Sequence, residues 1–281
     1  MHYETAPAKI NLTLDTLYKR NDGYHEVSMV MTTVDLNDNL SFERRKDRKI
    51  VIQSDHQFVP TDRRNLAYQA AELMMERYHI ETGVTINIDK HIPIAAGLAG
   101  GSADAAATFR GLNSLYNLGI ELSELADLSA ELGSDIPFCV YGGTALATGR
   151  GEIIERLKSP PHAWLVLAKP NISVSTKSIY RALRPGKNKA ASQEMKTAIL
   201  NEDYQSIVSA LKNDLEEVTV KKYPEVKKLL ENMRVSGSDG ALMSGSGPTV
   251  FGICRKERQS IHLYNAMKGC CSEVYRIRLL G

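Results

Sequence analysis

The stretch PIAAGLAGGSADAAATFRGLN, from Pro93 to Asn113, constrains the fold more than any other segment. Three glycines, Gly97, Gly100 and Gly101, fall within five positions, and an alanine-rich run follows at once. Glycine reaches backbone conformations closed to other residues and lets a backbone approach its neighbour without a Cβ between them. Alanine is the strongest helix former. The alternating run VTINIDK at 84–90 comes just before, so the whole reads as strand, tight loop and helix. Such a loop is either an ordinary close-packed turn or an anion site. In the second reading, the first amides of the helix, which lack intrahelical partners, point at a phosphate. The two common templates do not choose between these readings. A Walker A loop needs lysine after its last glycine, where this chain has Ser102 and Ala103, and Gly97-Leu98-Ala99-Gly100 breaks the G-x-G-x-x-G spacing. Any phosphate loop here is of another type.

The rest of the chain reads as clusters of strands and helices rather than regular β-α alternation, which predicts an α+β fold. In AKINLTLD, Ile10, Leu12 and Leu14 alternate with Lys9, Asn11 and Thr13. Period 2 puts the first set on a core face and aims Lys9 and Asn11 together on the opposite one. EVSMVMTTVDL and RKIVIQS are further strands. NLAYQAAELMMERYH carries Leu66, Ala70, Leu73, Met74 and Arg77 at helical spacing. LSELADLSAEL predicts another helix, closed by Gly133. The Pro160-Pro161 pair marks a junction and divides the chain into 1–157 and 158–281. Beyond it lie a buried strand, WLVLAK, helical segments over roughly 192–235, a glycine turn within GALMSGSGPTVFGIC, a helix near 256–268 and a closing strand.

The 281 residues carry a net charge of +2, from 35 basic and 33 acidic side chains. That balance gives no footing for nucleic acid or a membrane surface. ERRKDRK at 43–49 mixes signs and reads as a solvated turn. Cys139, Cys254, Cys270 and Cys271 form no C-x-x-C and read as reduced core thiols. No signal-peptide core opens the chain, and its longest apolar run, AWLVLA at 163–168, is too short for a bilayer. A cytoplasmic protein is expected. His56 and His162 show no metal spacing, and no metal site is expected.

Three other segments could carry chemistry. Asp135 in GSDIPF is either a turn and cap residue or a general base. NDGYHE, Asn21 to Glu26, is a hairpin signal whose Tyr24 and His25 are either an exposed tip or a platform for a nucleobase. SGSGPT, from Ser244, is a second glycine-rich turn.

Taken together, APAKINLTLD, PIAAGLAGGSADAAA and MSGSGPTVFG resemble, in order, the three motifs of the GHMP kinases, the family of galactokinase, homoserine kinase and mevalonate kinase. RNDGYHEV and GSDIPFCVYGGTALATGRGE resemble the branch whose acceptor carries a cytidine diphosphate. The resemblance runs end to end. It implies a two-domain α+β fold with the active site in an interdomain cleft, and transfer of the ATP γ-phosphoryl to an acceptor hydroxyl. Residue by residue, it implies catalytic Lys9 and Asp135 and an ATP loop of Pro93, Ile94, Ala95, Ala96, Gly97, Leu98, Ala99, Gly100, Gly101 and Ser102. It implies substrate contacts from Asn11, Tyr24, His25, Thr176 and Tyr180, with Gly245, Ser246 and Gly247 in the C-terminal glycine motif. Mg²⁺ would arrive with ATP, the partners would be small molecules, and no tightly bound cofactor is implied. Asp104 sits in tension with a phosphate beside it and is expected to face away from the ligand or lie near Mg²⁺. The alternatives are a GHMP kinase for another small alcohol and a nucleotide-binding regulator. DGYHE argues against the first, and intact Lys9 and Asp135 argue against the second.

Overall fold

A computed structural model describes residues 1–184 and 190–281. In chain order the elements are β1 (His2–Lys19), β2 (His25–Arg44), β3 (Ile50–Gln53), α1 (Leu66–Arg77), β4 (Val84–Asp89), α2 (Gly100–Tyr116), α3 (Leu122–Ser129) and α4 (Ile136–Tyr141). Then follow β5 (Thr144–Thr148), β6 (Ile153–Leu157), β7 (Trp164–Lys169), α5 (Thr176–Ala182), α6 (Ala191–Leu200), α7 (Tyr204–Ala210) and β8 (Lys212–Asn213). The last are α8 (Glu216–Lys222), α9 (Pro224–Val235), β9 (Gly240–Met243), β10 (Val250–Cys254), α10 (Glu257–Lys268) and β11 (Glu273–Arg278). The α+β fold expected from the sequence is the one observed. The chain gathers into two compact units. One comprises Met1–Ala8, Leu36–Ile94 and Ala99–Gly142, and the other Lys9–Asp35, Ala95–Leu98 and Gly143–Gly281.

In the first unit, β4 runs parallel to β3 and antiparallel to the end of β2, from Asn39↔Asp89 to Arg44↔Val84. Helices α1 and α2 pack on each other. Asn65 caps α1, its side chain accepting from the Ala67 amide at 2.9 Å. The buried stripe of α1 is Ala67, Ala70, Ala71, Met74 and Met75, while Arg77 is exposed and Leu66 and Leu73 are half-buried. The stripe expected from the larger side chains is thus rotated, because small alanines on both α1 and α2 let the two helices approach. Gly111 serves a close approach too: a Cβ there would stand 2.4 Å from the Phe42 ring. Helix α3 ends at Ser129, four residues before Gly133, so Gly133 does not close it as expected. Gly133 lacks a left-handed φ, and the Glu131 and Leu132 amides turn to Leu128 O and Ser129 O instead.

In the second unit, β1 and β2 are joined by the hairpin at Arg20–Tyr24, with Gly23 at φ +87°. The start of β2 pairs antiparallel with β5, which pairs with β6. β1 also holds β8 in parallel through Thr13↔Lys212 and Leu14↔Asn213. A second sheet has the order β11-β7-β10-β9, all antiparallel. Its strand β7 is the buried run anticipated, and α9 and α10 pack on this sheet.

Two further expectations change. β1 is buried on both faces from Ala8 to Thr16, not on one. The polar face is covered because its groups find partners: Thr13 Oγ1 accepts from Val30 N and meets Ser192 Oγ at 3.0 Å, and Asp15 accepts from Ser192 N. Cys270 is exposed, whereas the other three thiols are buried as expected. It lies in the short connection between α10 and β11, just past the Gly269 cap.

Candidate active site

Lys9 and Asn11 lie in the second unit and face the same way, as period 2 requires. The Lys9 ammonium donates to Asn11 Oδ1 at 2.7 Å, and Asn11 Nδ2 donates to Met29 Sδ at 3.2 Å. Lys9 is 4% exposed and Asn11 fully buried, so this cation is held in a fixed direction. The Lys9 amide donates to Leu98 O at 3.1 Å, tying the strand to the glycine loop.

The loop differs from its sequence reading in one respect. Its left-handed turns are at Ala95, Gly97 and Ala99, with φ of 53°, 73° and 57°. Gly100 and Gly101 do not turn the chain; they are the first residues of α2. Two alanines in left-handed geometry store strain, each costing on the order of 1–3 kcal/mol, of the kind proteins retain at functional sites. Alternation of this sort makes backbone N–H groups converge into an anion-binding concavity. Gly97 packs on the SGSGPT turn: a Cβ there would be 2.5 Å from Ser244 O and 2.9 Å from Gly247 O. Ser244 Oγ donates to Gly97 O at 3.0 Å. Gly245 and Gly247 of that turn also have positive φ, 56° and 84°. The turn is braced from beneath by residues the sequence reading did not single out. Asn213 Nδ2 donates to Met243 O and Gly245 O, and Thr219 Oγ1 donates to Ser246 O. Thr176 Oγ1 meets Ser246 Oγ at 2.8 Å, so an expected substrate contact and the C-terminal glycine motif are brought together.

The hairpin tip holds the aromatic set. The Arg20 amide donates to Tyr24 O, and the Tyr24 amide donates to Asp22 Oδ1, fixing the tip. Tyr24 is 55% exposed, with the Arg150 guanidinium 5.3 Å from its ring centre. His25 instead meets Tyr180, ring centres 5.4 Å apart. Burial, aided by Lys19, holds the His25 imidazole below its usual value. It is neutral at pH 7 and offers one donor and one acceptor. Arg150 was missed because nothing adjacent in sequence marks it. Glu152, which accepts from its Nε and amide, is the local signal that it is held in place.

In the first unit, Asp135 stands at the N-cap of α4 but its side chain makes no capping bond. Helix α2 opens with no side-chain cap, its first intrahelical bond running from Ala103 N to Ala99 O. The amides of Gly100, Gly101 and Ser102 precede that bond and have no intrahelical partner. Asp104 points inward and is 3% exposed. It accepts from Lys90 Nζ at 2.6 Å, and the same ammonium donates to Asp38 at 2.5 Å. Asp38 further accepts from the His91 and Ile92 amides. Burial disfavours charge on Lys90, but Asp104 and Asp38 outweigh it and raise its pKa. For Asp104, burial and the Asp38 charge prevail over Lys90 and push its carboxyl up to about 7. Lys90 and Asp38 were also missed, since neither forms a motif with Asp104 in sequence.

Comparison with known proteins fits this geometry. The family description "GHMP kinases N terminal domain" matches residues 65–143, and "GHMP kinases C terminal" matches 195–273. Two Staphylococcus aureus proteins, from a bovine strain and from strain Newman, are each 58% identical over the full length of both chains. Both are provisionally named 4-diphosphocytidyl-2-C-methyl-D-erythritol kinase. A crystal structure of a 4-(cytidine 5'-diphospho)-2C-methyl-D-erythritol kinase superposes with a TM-score of 0.85 at 32% identity, covering 99% of each chain. A homoserine kinase from Cytophaga hutchinsonii shares the fold, with a TM-score of 0.81 at 20% identity, over 98% of this chain and 93% of that one. With more than half its residues shared from end to end with such relatives, the chain belongs to the GHMP kinase family.

Proposed function

We propose that this kinase transfers the γ-phosphoryl group of ATP to the 2-hydroxyl of 4-diphosphocytidyl-2-C-methyl-D-erythritol, a step in non-mevalonate isoprenoid synthesis. The observation that carries the acceptor assignment is the aromatic set of the second unit: exposed Tyr24 on a fixed turn, and His25 in ring contact with Tyr180. An acceptor without a base, such as mevalonate or homoserine, gives these rings nothing to stack on. The names of the 58% identical relatives and of the 32% identical crystal structure support the same acceptor.

In this reading the loop from Pro93 to Ser102 holds the ATP phosphates on its backbone amides. The SGSGPT turn keeps that loop in shape. Asp135 accepts the proton of the attacking hydroxyl as general base. Lys9 offsets the charge on the moving phosphoryl, and Asn11 orients the acceptor. Tyr24 and Tyr180 enclose the cytosine, His25 bonds its edge, and Thr176 contacts the acceptor. Mg²⁺ on the nucleotide would neutralise phosphate charge. No residue is assigned to it, because the buried carboxylates Asp38 and Asp104 are both already engaged by Lys90. The division into 1–157 and 158–281 is retained as the domain proposal, since the two family descriptions fall on either side of it. Among the described residues no helix is long and apolar enough to cross a membrane. A cytoplasmic setting, with ATP and the acceptor as the partners, suits the proposed reaction.

The test is base selectivity. Cytosine presents an exocyclic amine donor where uracil presents a carbonyl acceptor, so an edge-reading pocket rejects the uridine analogue. The cytidine acceptor is expected to be used at higher kcat/KM than its uridine counterpart. Equal use of both would overturn the acceptor assignment.

A further inference from the structure

Beneath the first turn of α2, two buried carboxylates share one buried ammonium. Asp38, Lys90 and Asp104 all belong to the first unit, and their side chains are at most 6% exposed. Fully ionised, the cluster carries one uncompensated negative charge inside the protein. The two acids are not equivalent. Asp38 accepts from Lys90 and from two backbone amides. Asp104 receives Lys90 on Oδ2 only, and its Oδ1 is buried with no partner. Such an oxygen costs least when it carries a proton. The cluster also touches the loop itself: a Cβ on Gly100 would stand 3.1 Å from Lys90 Nζ. Lys90 and Asp38 are the charged groups acting on Asp104, and α1, α3 and α4, which also pack on α2, add none.

We propose that nucleotide binding is proton-linked in this enzyme: when ATP phosphates seat at the first turn of α2, Asp104 takes up a proton from solvent. The inference rests on the reading of that loop as the phosphate holder. Its physical basis is simple. Phosphate brings negative charge to a site already holding one excess negative charge at low dielectric. Protonating Asp104 removes that excess and leaves Lys90 paired one-to-one with Asp38. The protein's carboxyl gains the proton and the buffer loses it.

The experiment is calorimetric titration of the full chain with MgATP in buffers of different ionisation enthalpy, for wild type and Asp104→Asn. Asn keeps the shape and cannot titrate. In wild type near pH 7 to 8, a fraction of a proton is taken up per ATP, falling towards zero at pH 5, where Asp104 already holds its proton. ATP affinity correspondingly weakens as pH rises from 6 to 9. The difference between the two proteins cancels the titration of the nucleotide itself, and in Asp104→Asn the protein's share of uptake disappears. ATP binding with no such difference overturns the proton linkage and leaves the phosphate loop intact. Absence of ATP binding by wild type overturns the phosphate-loop reading and the linkage with it. Should Asp104→Asn fail to fold, buffer-dependent uptake by wild type still decides: ATP binding at pH 7.5 with no uptake overturns the proposal.

Discussion

Tyr24 is a large aromatic held 55% exposed on a turn that two hydrogen bonds fix, and this arrangement costs burial unless something flat covers the ring. Stacking of a base on an aromatic contributes about 1–3 kcal/mol, so Tyr24→Ala is expected to raise the acceptor KM roughly 5- to 150-fold. Tyr24→Phe keeps the ring face and loses much less, and the KM for ATP stays level in both. Steady-state kinetics with each substrate varied in turn checks this, and an unchanged acceptor KM in Tyr24→Ala contradicts it. Asp135→Asn is expected to lower kcat by about 10²–10⁴-fold, the usual contribution of a general base. Near-normal kcat in a folded variant removes that role. Asp104 gives a stability prediction. Its folded-state value is raised from 3.8 to about 7, so the folded state binds this proton more tightly than the unfolded chain does. Its contribution to stability is therefore complete below the lower value and is lost as pH rises through the upper one. Asp104→Asn removes that loss, so its Tm relative to wild type is higher at pH 8 than at pH 5, read by thermal melts at both. At this scale the sequence was informative where residues act through their neighbours in the chain. Lys9 and Asn11 two apart on a strand were readable, and their 2.7 Å bond follows from period 2. The Lys90 cluster was not readable, because it joins positions 38, 90 and 104 through tertiary packing alone.

Among the elements, the glycine loop shows how a correct motif can hide the wrong geometry. The three glycines suggested that glycine turns the tight loop, yet two of the left-handed residues are alanines, and Gly100 and Gly101 are helical. The reason is that each glycine answers a different demand. Gly97 needs both positive φ and the absence of a Cβ against Ser244 O. Gly101 needs neither, since a Cβ there would meet only Leu66 Cδ1 at an ordinary 3.7 Å. Gly97→Ala is therefore expected to lower stability by about 1–3 kcal/mol through backbone strain, with the clash adding to it. Gly101→Ala is expected to hold or raise Tm, because alanine is the better residue inside a helix by up to about 1 kcal/mol. Thermal melts of the two variants side by side check the contrast, and equal losses contradict it. The strands and most helices were visible in their periodicity, down to the hairpin at Asp22-Gly23. What was lost was the orientation of α1 and the end of α3, both decided by packing against α2 and α4 rather than by local pattern.

For the whole molecule, family membership rests on end-to-end similarity, while the choice of acceptor rests on a few side chains of the second unit. Fold alone does not decide it, for homoserine and mevalonate kinases share the fold at 20% and 16% identity. The most direct measurement is ADP release by the purified chain with 4-diphosphocytidyl-2-C-methyl-D-erythritol, mevalonate and homoserine supplied in parallel. The account predicts acceptor-dependent turnover with the cytidine compound and none above background with the other two. Turnover with mevalonate or homoserine, and none with the cytidine compound, would contradict it.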